Sequence, residues 1–260
     1  MNRLTRYISA GIFTGLIFLL LLAAYSSQAV KRGRMACTGV EVTVLDSMKN
    51  SFVDSRDILS YLRSEYGDFT GKNVDSISLI RIEKDVDARS AVRKSEAYIT
   101  KDGILHVDIT QREPAVRFQK GAAGFYADAE GCLFPLQDTY TAHVPIVDGD
   151  LPLKADTGYK GKPQSEEERE WIMAILRLLE YMDDSGTWAR DIVQINVLKG
   201  GDLLMVPREG REKFIFGPPD GAEEKFRKME LYYTGIVPEK GEGYYSSVNL
   251  KYDRQIICRK

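Results

Sequence analysis

Only two histidines, His106 and His143, and three cysteines, Cys37, Cys132 and Cys258, are available for nucleophilic, acid–base or metal chemistry of the commonest kinds. His106 falls on the polar face of a predicted strand, where a solvated imidazole is expected rather than a catalytic one. His143 stands in Tyr140-Thr141-Ala142-His143-Val144-Pro145, with no carboxylate at a telling spacing. No Gly-x-Ser-x-Gly elbow and no His-Glu-x-x-His motif occurs. Residues Gly67 to Asn73 approach a phosphate loop, but the glycines are one residue too close together. Asn73 also stands where Ser or Thr would hold magnesium, and a helix precedes the segment instead of a strand. It reads as a helix C-cap and loop. The cysteines are far apart and form no C-x-x-C pair. They are expected as buried free thiols, and a single disulfide of unassigned pairing stays open outside the cytoplasm. Asp183-Asp184 end a predicted helix against its dipole, which marks either a site or a loop start. No catalytic set, metal site or cofactor loop emerges, so the expectation is a protein that is not an enzyme and carries no cofactor.

The elements around these residues begin with an apolar run. Ile8 to Tyr25 holds eighteen residues without a charge, nearly enough to span a hydrocarbon core of about 30 Å, and Ser26 to Val30 can extend it. Its length favours an uncleaved signal anchor over a signal peptide, although Ser27-Gln28-Ala29 would serve as a cleavage site. Either way Lys31 to Lys260 lies across a membrane. Basic residues flank both ends, so the short N-terminal tail makes the N-in orientation the default. Gly11 and Gly15 form a small-xxx-small pair, which is also common in such segments by chance.

Over the whole chain 36 basic residues nearly balance 38 acidic ones, for a net charge of −2, so no basic excess points to nucleic acid as a partner. The part beyond the apolar run is slightly acidic and unlike a surface that grips anionic lipid.

Beyond the apolar run the patterns alternate between strand and helix. Val40 to Val44 alternates as a strand; Asp54 caps a helix carrying Ile58, Leu59 and Leu62. A second helix is expected over Ser76 to Ala88, with Ile77, Ile80 and Val86 apolar. Ser95–Thr100 and Ile104–Thr110 form a hairpin about Asp102-Gly103, with Leu105, Val107 and Ile109 on one face. The later part is strand-rich: Ala115–Phe118, Gly124–Ala127, Ile192–Leu198, Asp202–Val206 and Lys213–Phe216. In Ile192–Leu198 the alternation puts Val193, Ile195 and Val197 on one face. Ser165 to Glu168 is a capping box opening a helix that buries Ile172, Ile175, Leu176, Leu179 and Met182. Asp220 with Glu223 opens another, with Phe226, Met229 and Tyr233. The last strand is expected to run unbroken from Val248 to Cys258, with Val248, Leu250, Tyr252 and Ile256 sharing a face.

Several of these stretches in order match one family. They are Asp102-Gly103-Ile104-Leu105-His106-Val107-Asp108-Ile109, Gln111-Arg112-Glu113-Pro114-Ala115, Gly124 to Gly131, Val144-Pro145-Ile146-Val147 before Asp148-Gly149, and the closing Val248-Asn249-Leu250-Lys251-Tyr252-Asp253. The chain resembles the FtsQ/DivIB cell-division proteins, especially the forms seen in Bacteroidetes.

The resemblance implies an α+β protein: a cytoplasmic tail (1–7), a transmembrane anchor (8–28), a juxtamembrane linker (29–36), a β-α-α-β-β POTRA domain (37–111) and a larger mixed β domain (112–260). It implies no catalysis and a place at the division septum of the inner membrane. The family's β domain captures the FtsB (DivIC) and FtsL coiled-coil pair beside its last strand. Here the matching positions are Lys251, Tyr252 and Asp253, continued by Arg254, Gln255, Ile256 and Ile257. An open strand edge is a template for another chain, which gives this mode a physical basis independent of the resemblance.

Arg112-Glu113-Pro114 reads as a hinge, because proline forces the preceding residue into extended conformation. Two other classes stay in view. One is a POTRA-containing envelope-assembly or secretion module, which would pair strands by the same edge chemistry. The other is a membrane-anchored hydrolase, which would need a deep, acid-lined pocket in the second domain.

Overall fold

A computed structural model describes residues 13, 15–22, 35–48, 51–121, 123–137, 140–155 and 158–260. The expected tail, most of the anchor at 8–28 and most of the linker lie outside these residues. Residues 15–22 are helical and exposed. Among the described residues no helix is long and apolar enough to cross a membrane. The chain forms two compact units: Met1–Lys49 with Val53–Gln111, and Asn50–Phe52 with Arg112–Lys260.

In the first unit β1 (Gly39–Val44) leads to helix α1 (Ser55–Tyr66), a single 3-10 turn (Val74–Ser76), helix α2 (Leu79–Asp87), and strands β2 (Val92–Ile99) and β3 (Ile104–Gln111). The sheet order is β1-β3-β2, with β1 parallel and β2 antiparallel to β3. Asp54 caps α1 by accepting from the Arg56 amide. Ile58 and Leu62 of α1, Ile82 and Val86 of α2, and Leu105, Val107 and Ile109 of β3 fill the core between helices and sheet. Helix α2 is shorter than expected and turned: Ser78 precedes it, Ile82 is buried, and Ile80 is exposed. The hairpin turn needs glycine at Gly103, where φ is +86° and a Cβ would stand 2.6 Å from the Ala36 carbonyl oxygen.

The second unit is built on one nine-stranded sheet of order β12-β11-β10-β9-β8-β7-β4-β5-β6. Its strands are β4 (Pro114–Lys120), β5 (Ala123–Asp128), β6 (Leu133–Pro135), β7 (Ile146–Gly149), β8 (Ile192–Val197), β9 (Leu203–Pro207), β10 (Lys213–Gly217), β11 (Ser247–Asn249) and β12 (Ile257–Arg259). Helices α3 (Glu166–Asp184), α4 (Trp188–Asp191), α5 (Ala222–Leu231) and α6 (Val237–Lys240) complete it. Ile172, Ile175 and Leu178 of α3 pack with Val116, Phe118, Val147 and Ile195 in one continuous core. Burying each such side chain contributes about 1.5–3 kcal/mol, so this helix and the strands beneath it stabilise one another.

Three local expectations are corrected in this unit. Ser165 does accept from the Glu168 amide, but the Glu168 carboxylate does not return to Ser165. It is buried and accepts from the Lys154 and Gln164 amides, both at 2.9 Å, because those loop amides have no strand to pair with. The register slips between Ile192 and Gln194, so Val193 turns outward and is exposed while Ile192, Ile195 and Val197 are buried. Helix α5 begins after Gly221, and Asp220 pairs with the Lys225 ammonium at 3.1 Å instead of capping the helix.

Candidate functional site

The two ends of the nine-stranded sheet are the places where backbone groups could meet another chain, and only one of them is covered. At the β6 end Leu133 and Gly161 exchange both backbone hydrogen bonds, at 2.8 and 2.9 Å. At the other end β12 pairs with β11, and no further strand lies beyond it among the described residues.

The expected unbroken strand from Val248 to Cys258 is therefore two short antiparallel strands and a turn. The cause lies in the side chains around it. The Asn249 carboxamide oxygen accepts from the Lys251 amide at 2.9 Å and turns the chain out of β11. The buried Lys228 ammonium then takes the Leu250 and Tyr252 carbonyl oxygens, at 3.3 and 2.8 Å, so these do not join a ladder. Glu224 holds that ammonium at 2.8 Å, and the hydrogen bond from Lys228 keeps the Glu224 carboxyl below its usual range. Arg254 adopts φ +52°, the left-handed conformation that reverses the chain. The Gln255 amide points at the Tyr252 carbonyl, and the chain returns as β12.

The seven candidate residues thus divide. Lys251, Tyr252, Asp253, Arg254 and Gln255 form an exposed turn, Ile256 is half-buried against the core, and only Ile257 lies in the edge strand. Tyr252 is 50% exposed, so it does not share the buried face of Val248 and Leu250. Lys251 reaches Asp202 at 2.8 Å. Sequence reasoning missed Cys258 and Arg259 as edge positions, and Tyr244 and Lys260 beside them. The Lys260 ammonium lies 4.3 Å from the Tyr244 ring centroid, and their hydrogen bond lowers the tyrosine's pKa and raises the lysine's. Burial pushes the Cys258 thiol up, which keeps it protonated in the edge strand.

The chemistry considered at the outset stays dispersed. His106 stacks on Tyr98 with centroids 5.1 Å apart and lies 3.5 Å from Glu41, on the open face of the first unit's sheet. His143 is exposed. Gly67 closes α1 with its amide on the Arg63 carbonyl, and Asn73 caps the 3-10 turn. All three cysteines are free thiols. Among the described residues no group of three or more His, Cys, Asp or Glu stands close enough to hold a metal ion. An open groove of about 960 Å³ beside α3 and the start of β8 is mainly apolar, with Glu180 and Asp183 as its carboxylates.

Residues 113–259, more than half of the chain, match the model described as FtsQ/DivIB, C-terminal related. The chain belongs to the FtsQ/DivIB family. Residues 35–110 match the POTRA-like domain. No curated protein matches the chain. The pairing of a POTRA-like domain with a larger mixed domain is the α+β arrangement the motif order implied, and family membership carries a cell-division scaffold role. The FtsQ/DivIB family is one of non-enzymatic division scaffolds.

Proposed function

We propose that this FtsQ/DivIB protein is a single-pass, non-enzymatic divisome scaffold of the inner membrane. Residues 8–28 anchor it, the bulk of the chain lies in the periplasm, and it acts at the septum. Its partners are the FtsB/DivIC-like and FtsL-like pair, and an extended segment of that pair adds as a further strand beside Ile257–Arg259. The uncovered edge of β12 is the observation that carries this reading. Backbone pairing there would supply affinity, and the flanking turn Lys251–Gln255 with Tyr244 and Lys260 would supply choice of partner.

The test uses the full-length protein in detergent micelles and the co-purified FtsB/FtsL-like pair from the same cell. Successive amides of a strand face opposite ways. One of Ile257→Pro and Cys258→Pro therefore removes an outward donor without touching the ladder to β11. The wild type should bind, and that variant, folded by circular dichroism, should bind on the order of 10-fold or more weakly. Absence of wild-type binding would sink the scaffold reading and return the envelope-assembly module to first place. Binding that survives both prolines would move the contact off this edge. For the anchor, a fluorescent fusion should gather at midcell and stay in the membrane fraction; a soluble periplasmic product would mean cleavage after Ala29.

A further inference from the structure

The first unit carries a second strand edge, and it is closed in an unusual way. Strand β2 is an outer strand of the order β1-β3-β2. The Ser95 amide donates to Asp87 Oδ1 at 2.6 Å, and the Ala97 amide donates to Glu83 Oε1 at 2.8 Å. The Ser95 hydroxyl also lies 2.7 Å from Asp87 Oδ1, and Ser95 is buried. Since these two amides point at α2, those of Glu96 and Tyr98 between and after them point at β3. Two successive outward donors of β2 are therefore met by carboxylate oxygens, at the places where an incoming strand would present its carbonyl oxygens.

Local rules do not account for these acids. Glu83 and Asp87 are four residues apart on one helix face, a like-charge spacing that weakens a helix. Asp87 is also the last residue of α2, where a negative charge opposes the dipole. Helix α2 opens at Ser78 without a side-chain cap hydrogen bond, so its own ends do little to hold it. Breaking local rules at two positions is consistent with a tertiary task.

We infer that Glu83 and Asp87 hold the β2 edge of the POTRA-like domain shut against strand addition. Both grip through one helix face, so a shift of α2 frees both amides together. The occupant that the freed edge fits is an extended polypeptide strand, and the one always at hand is the β2 edge of a second copy of this chain. The lock rests on the first unit alone and is independent of the β12 reading.

Hydrogen exchange on the full-length protein in detergent micelles, resolved to single amides, tests it together with sedimentation. In the wild type the Ser95 and Ala97 amides should be as protected as those of Glu96 and Tyr98, and the protein should show no β2-mediated association. In the E83A/D87A variant exchange at Ser95 and Ala97 should rise on the order of 10–100-fold while Glu96 and Tyr98 stay protected, and the variant should self-associate. E83Q/D87N, which keeps an acceptor oxygen at each amide, should retain most of the protection and stay unassociated. If the double-alanine variant does not fold, E83A alone should free Ala97 and leave Ser95 protected. Unchanged exchange at Ala97 would overturn the lock. Freed amides without self-association would overturn its role in holding off a strand.

Discussion

At β6 the sheet of the second unit meets its own chain again. Gly161 comes alongside and gives and takes a hydrogen bond with Leu133, so that edge offers another protein nothing to pair with there. Gly161 can do so because its φ of +137° is open to glycine and strained for other residues. At β12, eight strands away in sheet order, the three residues of the last strand pair with β11 and have no strand on their outer side among the described residues. What stands next to it is a turn pinned from below by a buried lysine. One edge is closed by backbone; the other is shaped by a side chain and left open. Natural sheets protect edges because unpaired strands invite aggregation. The open edge is the one on which the proposed strand addition rests.

Breaking the pin should have the largest effect. Lys228→Met would take the ammonium donor from the Leu250 and Tyr252 carbonyl oxygens, leaving Tyr252 only the longer contact from the Gln255 amide, and is expected to destabilise the fold by about 2–3 kcal/mol. Urea unfolding would read the loss, and hydrogen exchange should rise first in β11 and β12. Equal loosening at β6 would contradict the idea that the lysine serves the open edge.

Opening the closed edge is the converse experiment. Gly161→Pro removes the amide that donates to Leu133 and clashes with the observed φ, with an expected loss of about 2 kcal/mol. Exchange at the Leu133 amide should rise, and the protein should gain a tendency to associate that the wild type lacks. A variant as stable as wild type would mean that Gly161 merely rests against β6.

Alkaline pH sharpens the contrast more gently. Tyr232 packs edge-on against Phe214 of β10, on the open-edge side. Burial, with Glu212 nearby, pushes its phenol up to about 12 from the ordinary value of 10.0. The folded state keeps a proton that the unfolded state gives up above pH 10. Stability from this group is therefore whole below pH 10 and lost as the pH rises towards 12. The expected loss is at most about 2 kcal/mol by the upper end of that window. Melting of Tyr232→Phe should be less sensitive to pH between 10 and 12 than that of the wild type. Identical slopes would remove Tyr232 from the account.

Much of the arrangement was legible in residue order. The POTRA-like hairpin about Asp102-Gly103 forms as expected, because a tight turn with positive φ at glycine is a local event. Asp54 capping α1 and Ser165 capping α3 are equally local. The candidate site was less legible. The alternation Val248, Leu250, Tyr252 has the period of a strand, and the residue that interrupts it, Lys228, lies 22 positions before Leu250. Val193 failed for a similar reason: the slip that turns it outward is set by pairing with β9. Ile80, expected on the apolar face, is exposed, because Ile82 and Val86 are four residues apart and share a helix face while Ile80, six residues before Val86, does not.

From the sequence alone came the near-neutral charge, the apolar run, the strand–helix–helix–strand–strand order of the first unit and the motif set of the FtsQ/DivIB family. Each depends on composition or on residues within a few positions of one another, where propensity and turn chemistry act. Tertiary structure decided which strand edges stay open. Whether an edge is covered depends on what arrives from far along the chain: Gly161 at Leu133, Glu83 and Asp87 at β2, Lys228 beneath the last turn. Hydrogen-bond partners of that kind are selected by the packing of helices onto sheets, and no local pattern of side chains records them.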